Sequence, residues 1–397
     1  MQKELKDILP IFGVEHNCIL SKQGDVTIAY EVTLPELFTL SDQEYEALHQ
    51  ALIKSIKILP RHTIFHKQDW FTEARHRADF SSEDKSFLTR SSERFFNERP
   101  YLDHQCYIML TKKPVGRKLG SSLFSNLLRR SIVPEETLKP QLLQDFLDSA
   151  GQFERILKDS GFVGLRRLAD EELSGNGNHC GLIERYLNLQ PNEGSFLLHD
   201  ISFSDGIQVG NNHCQLFTLA DAADLPADCG SRINYDKYST DKTKFSVGFA
   251  SPLGQLLSCN HIFNQYIFVD DPQKTLQKLE SKRLRLQSLS AYSRENAISR
   301  DATNEFLNEA ISQQRLPVKA HFNVLVWTDN KNELKDVRNL VSSALAQMDA
   351  TPKQELAGAP QLFWAGIPGN EADFPMHDSV DSFAEQAGCF LNVETHY

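Results

Sequence analysis

The sequence predicts an α+β protein that combines mixed or antiparallel sheets with packed helices. Runs rich in β-branched and aromatic residues alternate with amphipathic segments of helical spacing along the chain. The most regular part lies between residues 271 and 370. There a long polar helix precedes the strand VKAHFNVLVWT, a second helix and the apolar run QLFWAGIPGN. This order predicts a C-terminal helix–strand–helix–strand module of α/β type.

Length and composition narrow the class of protein. A chain of 397 residues exceeds the usual size of one domain, so we expect two, over residues 1–165 and 166–397. The net charge of −11 argues against a surface that binds nucleic acid throughout, although a local basic face remains compatible with it. Seven cysteines without a CxxC pair, no secretory signal pattern and no run of about 18 apolar residues predict a cytoplasmic protein.

The first elements have clear local signals. Two β-rich runs, Cys18–Leu20 and Val26–Leu34, flank a Lys-Gln-Gly-Asp turn and predict a hairpin. A helix begins at Ser41, where Ser41 and Glu44 form an S-x-x-E capping box. The segments RHTIFHKQDWF and QCYIMLTKK predict two further strands. The helix has one apolar stripe, made of Tyr45, Leu48, Leu52, Ile56 and Leu59.

The middle of the chain is less regular. Residues 72–99 are polar and at most helical, and the Gly-, Ser- and Arg-rich residues 116–133 predict a mobile loop or an insertion. Helical spacing resumes over residues 135–161. A strand and two short helices around the Gly/Asn-rich connector at 174–178 follow, and strands are predicted again within 201–219 and from 243 onward.

No motif for nucleotide binding or covalent catalysis is present. A phosphate-binding loop needs G-x-x-x-x-G-K-[ST], whereas the segment GRKLGSS at residues 116–122 has its lysine between the glycines. GxGxxG and G-x-S-x-G are also absent. The sequence therefore predicts no catalytic, cofactor-binding or metal-ligating residue.

Two patterns contain residue types that bind metal ions, and each has a simpler interpretation. Asp270 and Asp271 precede Pro272, which is typical of a helix N-terminus rather than a Mg²⁺ site. Histidine and cysteine also occur side by side or one residue apart, a spacing that no common zinc site uses, so buried thiols beside surface imidazoles are favoured. An alternative hypothesis is that two of these pairs meet in three dimensions and form the zinc site of an enzyme. The pairs are His104–Cys106, His179–Cys180, His213–Cys214 and Cys259–His261.

A basic stripe is the one candidate binding feature. Between residues 274 and 300 positive side chains exceed negative ones by five. Most of them share one face of a helix predicted over about 272–315, which suits DNA, anionic lipid or an acidic protein surface. A plain solvated face is the competing interpretation, and the absence of interleaved aromatic residues weakens the case for nucleic acid. The candidate contact residues are Lys274, Lys278, Lys282, Arg283 and Arg285.

The order of segments resembles a known family. The series comprises IFGVEHNCILSKQGDVTIAYEVTLPELFTLSDQEY, ISFSDGIQVGNNHCQLFTLADAADLP, VKAHFNVLVWTDNKNELKDVRNLVSSALAQM and FWAGIPGN. It is similar to the N-terminal half of TraG-type conjugation ATPases of conjugative transposons, in the VirB-type motor family of type IV secretion systems. The similarity spans most of the chain.

The resemblance implies a cytoplasmic, oligomeric ATPase, peripheral to the inner membrane, that energises channel assembly and DNA export. Its motor domain would follow the PGN turn, and no Walker residue of the family can be placed on this chain. We therefore expect a non-catalytic half that docks to other type IV secretion components and to its own motor, without a cofactor. The alternative is a DNA-binding module that uses the basic helix at residues 274–300.

Overall fold

The computed structural model describes residues 4–76, 86–114, 140–176, 179–189, 198–219, 221–236, 240–254, 256–351 and 353–396. The loop predicted at 116–133 lies outside these ranges. From the amino end, the strands are β1 (Ile11–Glu15), β2 (Cys18–Ser21), β3 (Val26–Thr33), β4 (Thr63–Arg75), β5 (Pro100–Lys112), β6 (Gly164–Arg167), β7 (Ile201–Ser202), β8 (Ile207–Val209), β9 (Asn212–Leu219), β10 (Arg232–Tyr235), β11 (Phe245–Gly248), β12 (His261–Val269), β13 (Pro317–Thr328), β14 (Lys353–Glu355) and β15 (Val380–Phe383).

Helices lie between these strands. In the described ranges the α-helices are α1 (Leu5–Ile8), α2 (Asp42–Lys57), α3 (Phe87–Glu98), α4 (Pro140–Asp159), α5 (Asp170–Ser174), α6 (Leu182–Asn188), α7 (Pro272–Leu289), α8 (Arg294–Ser312), α9 (Leu334–Ala346), α10 (Ala359–Ala365) and α11 (Ala384–Cys389). The mixture of helices with antiparallel strands confirms the predicted α+β class. None of the described helices combines the length and the apolar character that crossing a bilayer requires.

One large antiparallel sheet organises the described residues. Ten strands follow the order β1-β2-β3-β5-β4-β12-β13-β9-β8-β7, with β6, β14 and β15 attached to β3, β9 and β13. β4 pairs with β5 along its whole length and with β12 on its other side. Strands from before and after residue 165 therefore share one sheet, and the division into two domains at that residue stays a prediction.

Both faces of the sheet are covered, because successive side chains of a strand point to opposite sides. Phe65 on β4 packs into a core with α2, α4, α9 and α11. Ile64 and Trp70 of the same strand pack on the other face with α6 and α10. The predicted hairpin is confirmed as β2 and β3. The capping box at Ser41 is confirmed as well, since its hydroxyl accepts from the Glu44 amide and the Glu44 carboxylate accepts from the Ser41 amide.

The helix predicted over residues 272–315 is two helices. α7 ends at Leu289 and α8 begins at Arg294, and the two pack together as a helical hairpin. The backbone of Ser293 is extended, with φ −150° and ψ 133°, which no continuous helix permits. Helical spacing on both sides of the break hid it, because the intervening SAYS segment holds no glycine or proline. We refer to α7 and α8 together as the helical hairpin.

The strand predicted at QLFWAGIPGN is wrong. These residues form α10, which begins with Pro360 in its first turn and buries Leu362, Phe363 and Trp364. A short apolar run does not distinguish a strand from a buried helix, and proline in the first turn favours the helix. In the turn that follows, Gly369 has φ +91°, and a side chain there would meet Ile19 at 2.5 Å. The last element of the predicted C-terminal module is therefore helical.

Candidate functional site

The basic stripe lies on the first helix of the hairpin. Asp271 caps α7 by accepting a hydrogen bond of 3.1 Å from the Gln273 amide, which confirms its predicted capping role. Asp271 also accepts from the Arg61 guanidinium at 3.0 Å. Asp270 lies 3.6 Å from the ammonium of Lys113. The charges at the start of α7 are therefore largely paired.

Further along α7 the positive charges face solvent. Four of the five predicted contact residues are exposed, and no ion pair reaches them from the part of the chain that the structure describes. They recur every three or four residues, so they form one face of the helix. The fifth, Arg283, is half-buried and bonds Glu280 at 2.6 Å. We call the four side chains the basic face: Lys274, Lys278, Lys282 and Arg285.

The second helix of the hairpin has the opposite charge. α8 contains four acidic residues against two arginines, and one of these arginines, Arg300, bonds the adjacent Asp301 at 2.6 Å. The hairpin therefore separates charge, with the basic face on α7 and an excess of acid on α8. The acidic residues are Glu295, Asp301, Glu305 and Glu309.

The histidine–cysteine neighbours do not gather at one place. His261 Nδ1 lies 2.7 Å from the Cys259 carbonyl oxygen, and Cys106 is buried beside Lys67 and Asp69. Cys389 Sγ lies 3.5 Å from His49 Nε2, a pairing that sequence spacing did not indicate. Among the described residues no three His, Cys, Asp or Glu side chains converge as metal ligands would.

A buried ionic network crosses the centre of the sheet. Lys67 and Asp69 project from the same face of β4, and the Lys67 ammonium donates to the Asp69 carboxylate. That carboxylate also accepts from Gln265 at 2.7 Å, His104 at 2.9 Å and Asn392 at 3.0 Å. Burial alone raises the pKa of Asp69, but the charge of Lys67 and the His104 bond outweigh it and hold that pKa well below its usual range.

A second buried carboxylate lies close in sequence to Asn392. Glu394 accepts hydrogen bonds from the hydroxyls of Tyr45 and Ser251 and, at 2.8 Å, from the Gly248 amide. Burial raises the pKa of Glu394, and these three donors lower it in part. The Thr395 hydroxyl lies 2.6 Å from His104 Nδ1. We call Asn392–Thr395, which joins both networks, the C-terminal latch.

The chain Asp69–His104–Thr395 has the order of an acid–base–nucleophile triad. A nucleophile must reach its substrate, whereas Thr395 is only 3% exposed. Its backbone is also bonded on both sides, with the amide donating to Pro35 and the carbonyl accepting from Leu37. These contacts favour a structural role for the three residues, namely fastening the C-terminal latch to the sheet.

The sequence carries little signal for the C-terminal latch. Its one local signal is the placement of charged Lys67 and Asp69 inside the apolar run TIFHKQDWF, where an ordinary half-buried strand would place apolar residues. The residues that bind Asp69 come from β5, β12 and the C-terminal latch, and no spacing rule connects them.

A family model matches the first part of the chain. It carries the description of a domain of unknown function, B. Theta Gene description (DUF3875), and it covers residues 1–50, from α1 into the first half of α2. No curated protein matches the sequence.

Proposed function

We propose that this chain is the non-catalytic N-terminal region of a conjugation ATPase of the TraG type. In this role it docks to other type IV secretion components in the cytoplasm at the inner membrane, and it supports homo-oligomeric assembly of a motor for DNA transfer. The resemblance of the ordered segments supports the proposal. So does the exposed basic face of the hairpin, which is the observation that carries the docking role.

The basic face suits a docking surface for physical reasons. Its four side chains are exposed and make no ion pair with the residues that the structure describes, so a partner does not have to break such pairs to reach them. Complementary charge accelerates encounter and rejects partners of the wrong sign. The C-terminal latch provides a rigid attachment for a following motor domain, because its side chains bond to Asp69, His104 and the Gly248 amide on three different strands.

Reversing the basic face is expected to impair transfer. The triple variant Lys278→Glu, Lys282→Glu and Arg285→Glu places like charges against an acidic partner, which costs about 3 kcal/mol, or roughly a hundredfold in affinity. We expect a fall of at least tenfold in DNA transfer frequency when the variant replaces the native allele in donor cells. Capture of other secretion components from solubilised inner membranes should fall with it.

A matched variant controls for charge alone. Lys54, Lys335 and Arg338 are exposed helical residues away from the hairpin, and their reversal to glutamate changes the net charge by the same amount. It should leave transfer and capture unchanged. Equal transfer in both triple variants would contradict the docking role, and ATP turnover that persists through purification of this chain would contradict its non-catalytic character.

The alternative function is DNA binding by the same face, and the regular spacing of its four cations favours it. Four phosphate contacts predict that affinity for a short duplex falls roughly a hundredfold between 50 and 200 mM salt. Fluorescence anisotropy with the wild type and the hairpin triple variant tests this. If charge reversal leaves the affinity and its salt dependence unchanged, the alternative fails.

A further inference from the structure

A cavity lies beside β3, β5 and β6, at the start of the short helices α5 and α6. Its volume is about 370 Å³, within the range of small-ligand sites. Polar and charged groups make up much of its wall. They include Tyr107, Arg166, Glu171, Asn176, His179 and Arg185.

Arg185 is the unusual member of this wall. It is only 2% exposed, and no carboxylate of the described chain lies within ion-pair distance of it. Its Nη1 donates to the Tyr107 hydroxyl at 2.7 Å, whereas its Nε has no partner in the part of the chain that the structure describes. Its guanidinium carbon lies 5.0 Å from the centre of the Trp70 ring. Aromatic contact offsets part of the cost of burying this charge, but it does not satisfy the N–H donors.

The acids of the cavity have other partners. Arg166 bonds Glu31 at 2.6 Å and Glu172 at 2.8 Å, so one guanidinium already serves both carboxylates. Glu171 accepts from the Asn176 amide at 3.2 Å. Arg185 is thus left as the buried cation of the cavity without a counter-ion among the described residues.

We propose that this cavity binds a small oxyanion-bearing ligand, with a carboxylate or phosphate group held by the Arg185 guanidinium. The Tyr107 hydroxyl positions that guanidinium, because it accepts from Nη1 and donates its own proton to Gln105 at 3.1 Å. Planar guanidinium groups bind such anions through two parallel hydrogen bonds, and burial strengthens these bonds. The neighbouring thiol does not oppose the anion, because burial raises the pKa of Cys180 to about 11 and the thiol is neutral near pH 7. This inference is independent of the docking function, since the cavity and the basic face have no residue in common.

Binding can be measured with four probes, namely inorganic phosphate, acetate, glycine and L-glutamate, by calorimetry in a buffer free of other oxyanions. The wild type should bind at least one of them saturably. Arg185→Met keeps the length of the side chain but loses the charge, and we expect at least a tenfold loss of affinity. Comparing the affinities of phosphate and acetate distinguishes the two classes of anion. Comparing those of acetate and glycine tests whether the carboxylates of the wall favour a ligand that also carries an amine.

Two further variants keep the test decisive. Tyr107→Phe removes only one hydroxyl and should weaken binding about three- to tenfold, even if Arg185→Met does not fold. The control, Arg155→Met, removes an exposed arginine of α4 that bonds Asp159, and it should bind as the wild type does. Absence of saturable binding for all four probes would overturn the proposal. Equal affinity of the wild type and both cavity variants would overturn it as well.

Discussion

Asp69→Asn is expected to lower the free energy of unfolding by about 3–5 kcal/mol. The substitution keeps the shape of the side chain but leaves Lys67 as an uncompensated charge inside the sheet, where it is only 2% exposed. It also weakens the bonds from His104 and Asn392 that hold the C-terminal latch. Urea unfolding monitored by tryptophan fluorescence measures the loss, because Trp70 neighbours Asp69 on β4.

Two controls separate charge from packing. Asp159→Asn removes one partner of the exposed Arg155–Asp159 pair and should change stability by less than about 1 kcal/mol. The double variant Lys67→Met and Asp69→Leu removes both buried charges. It should recover the part of the loss that comes from the unpaired Lys67 charge, but not the part that comes from the lost bonds of His104 and Asn392. If Asp69→Asn lowers the free energy of unfolding no more than Asp159→Asn does, the buried pair does not stabilise the fold.

Acidification is expected to destabilise the protein between pH 6.5 and pH 4. Burial lowers the pKa of His261 and of His321 to about 4 in the folded chain. Each ring has a buried Nε2 without a partner among the described residues and an Nδ1 facing a carbonyl, of Cys259 and Asp378 respectively. In this pH window the unfolded chain binds more protons than the folded one, so stability falls as pH falls. Each ring contributes roughly 3 kcal/mol to the change.

Glutamine variants of these histidines test the pH dependence. His261→Gln and His321→Gln each remove one titrating ring, so stability between pH 4 and pH 6.5 should depend less steeply on pH, whatever the absolute stability of the variant. His377→Gln is the control, since it removes a ring that is exposed in the folded chain. Glu394 acts in the opposite direction, because burial raises its pKa and its contribution declines as pH rises through that pKa. If the free energy of unfolding depends on pH as steeply in both variants as in the wild type, the two rings are not the source of the pH dependence.

The sequence predicted correctly those elements whose stabilising contacts lie between residues close together in the chain. The capping box at Ser41 and the Gly24 turn lie within a few residues of the groups they bond, so the sequence suffices for α2 and the β2–β3 hairpin. The break in the hairpin and the helical state of α10 were missed for a different reason. Helical spacing continues across Ser293, and the apolar side chains of α10 are buried by tertiary packing on every side, which leaves no periodic pattern.

The candidate sites also differ in whether they depend on residues that are near or distant in the sequence. The basic face followed from residue spacing on one helix, and only Arg283 departs from it, because an acid one turn away pairs with it. The C-terminal latch and the cavity depend on distant residues. Asp69 and Asn392 are 323 positions apart, and Arg185 and Tyr107 are 78 apart. Such contacts are set by the order of strands in the sheet, which spacing within a segment does not encode.

The C-terminal latch has a consequence for the order of folding. Tyr45 and Glu394, which share a buried hydrogen bond, are separated by 349 residues. A ribosome that synthesises about 5–20 residues per second needs tens of seconds to cover that distance. During this time Asp69 lacks its bond from Asn392, and the hydroxyl of Tyr45 lacks its bond to Glu394. We therefore expect the nascent sheet to complete its packing only after residue 395 has emerged, and to depend until then on protection from aggregation.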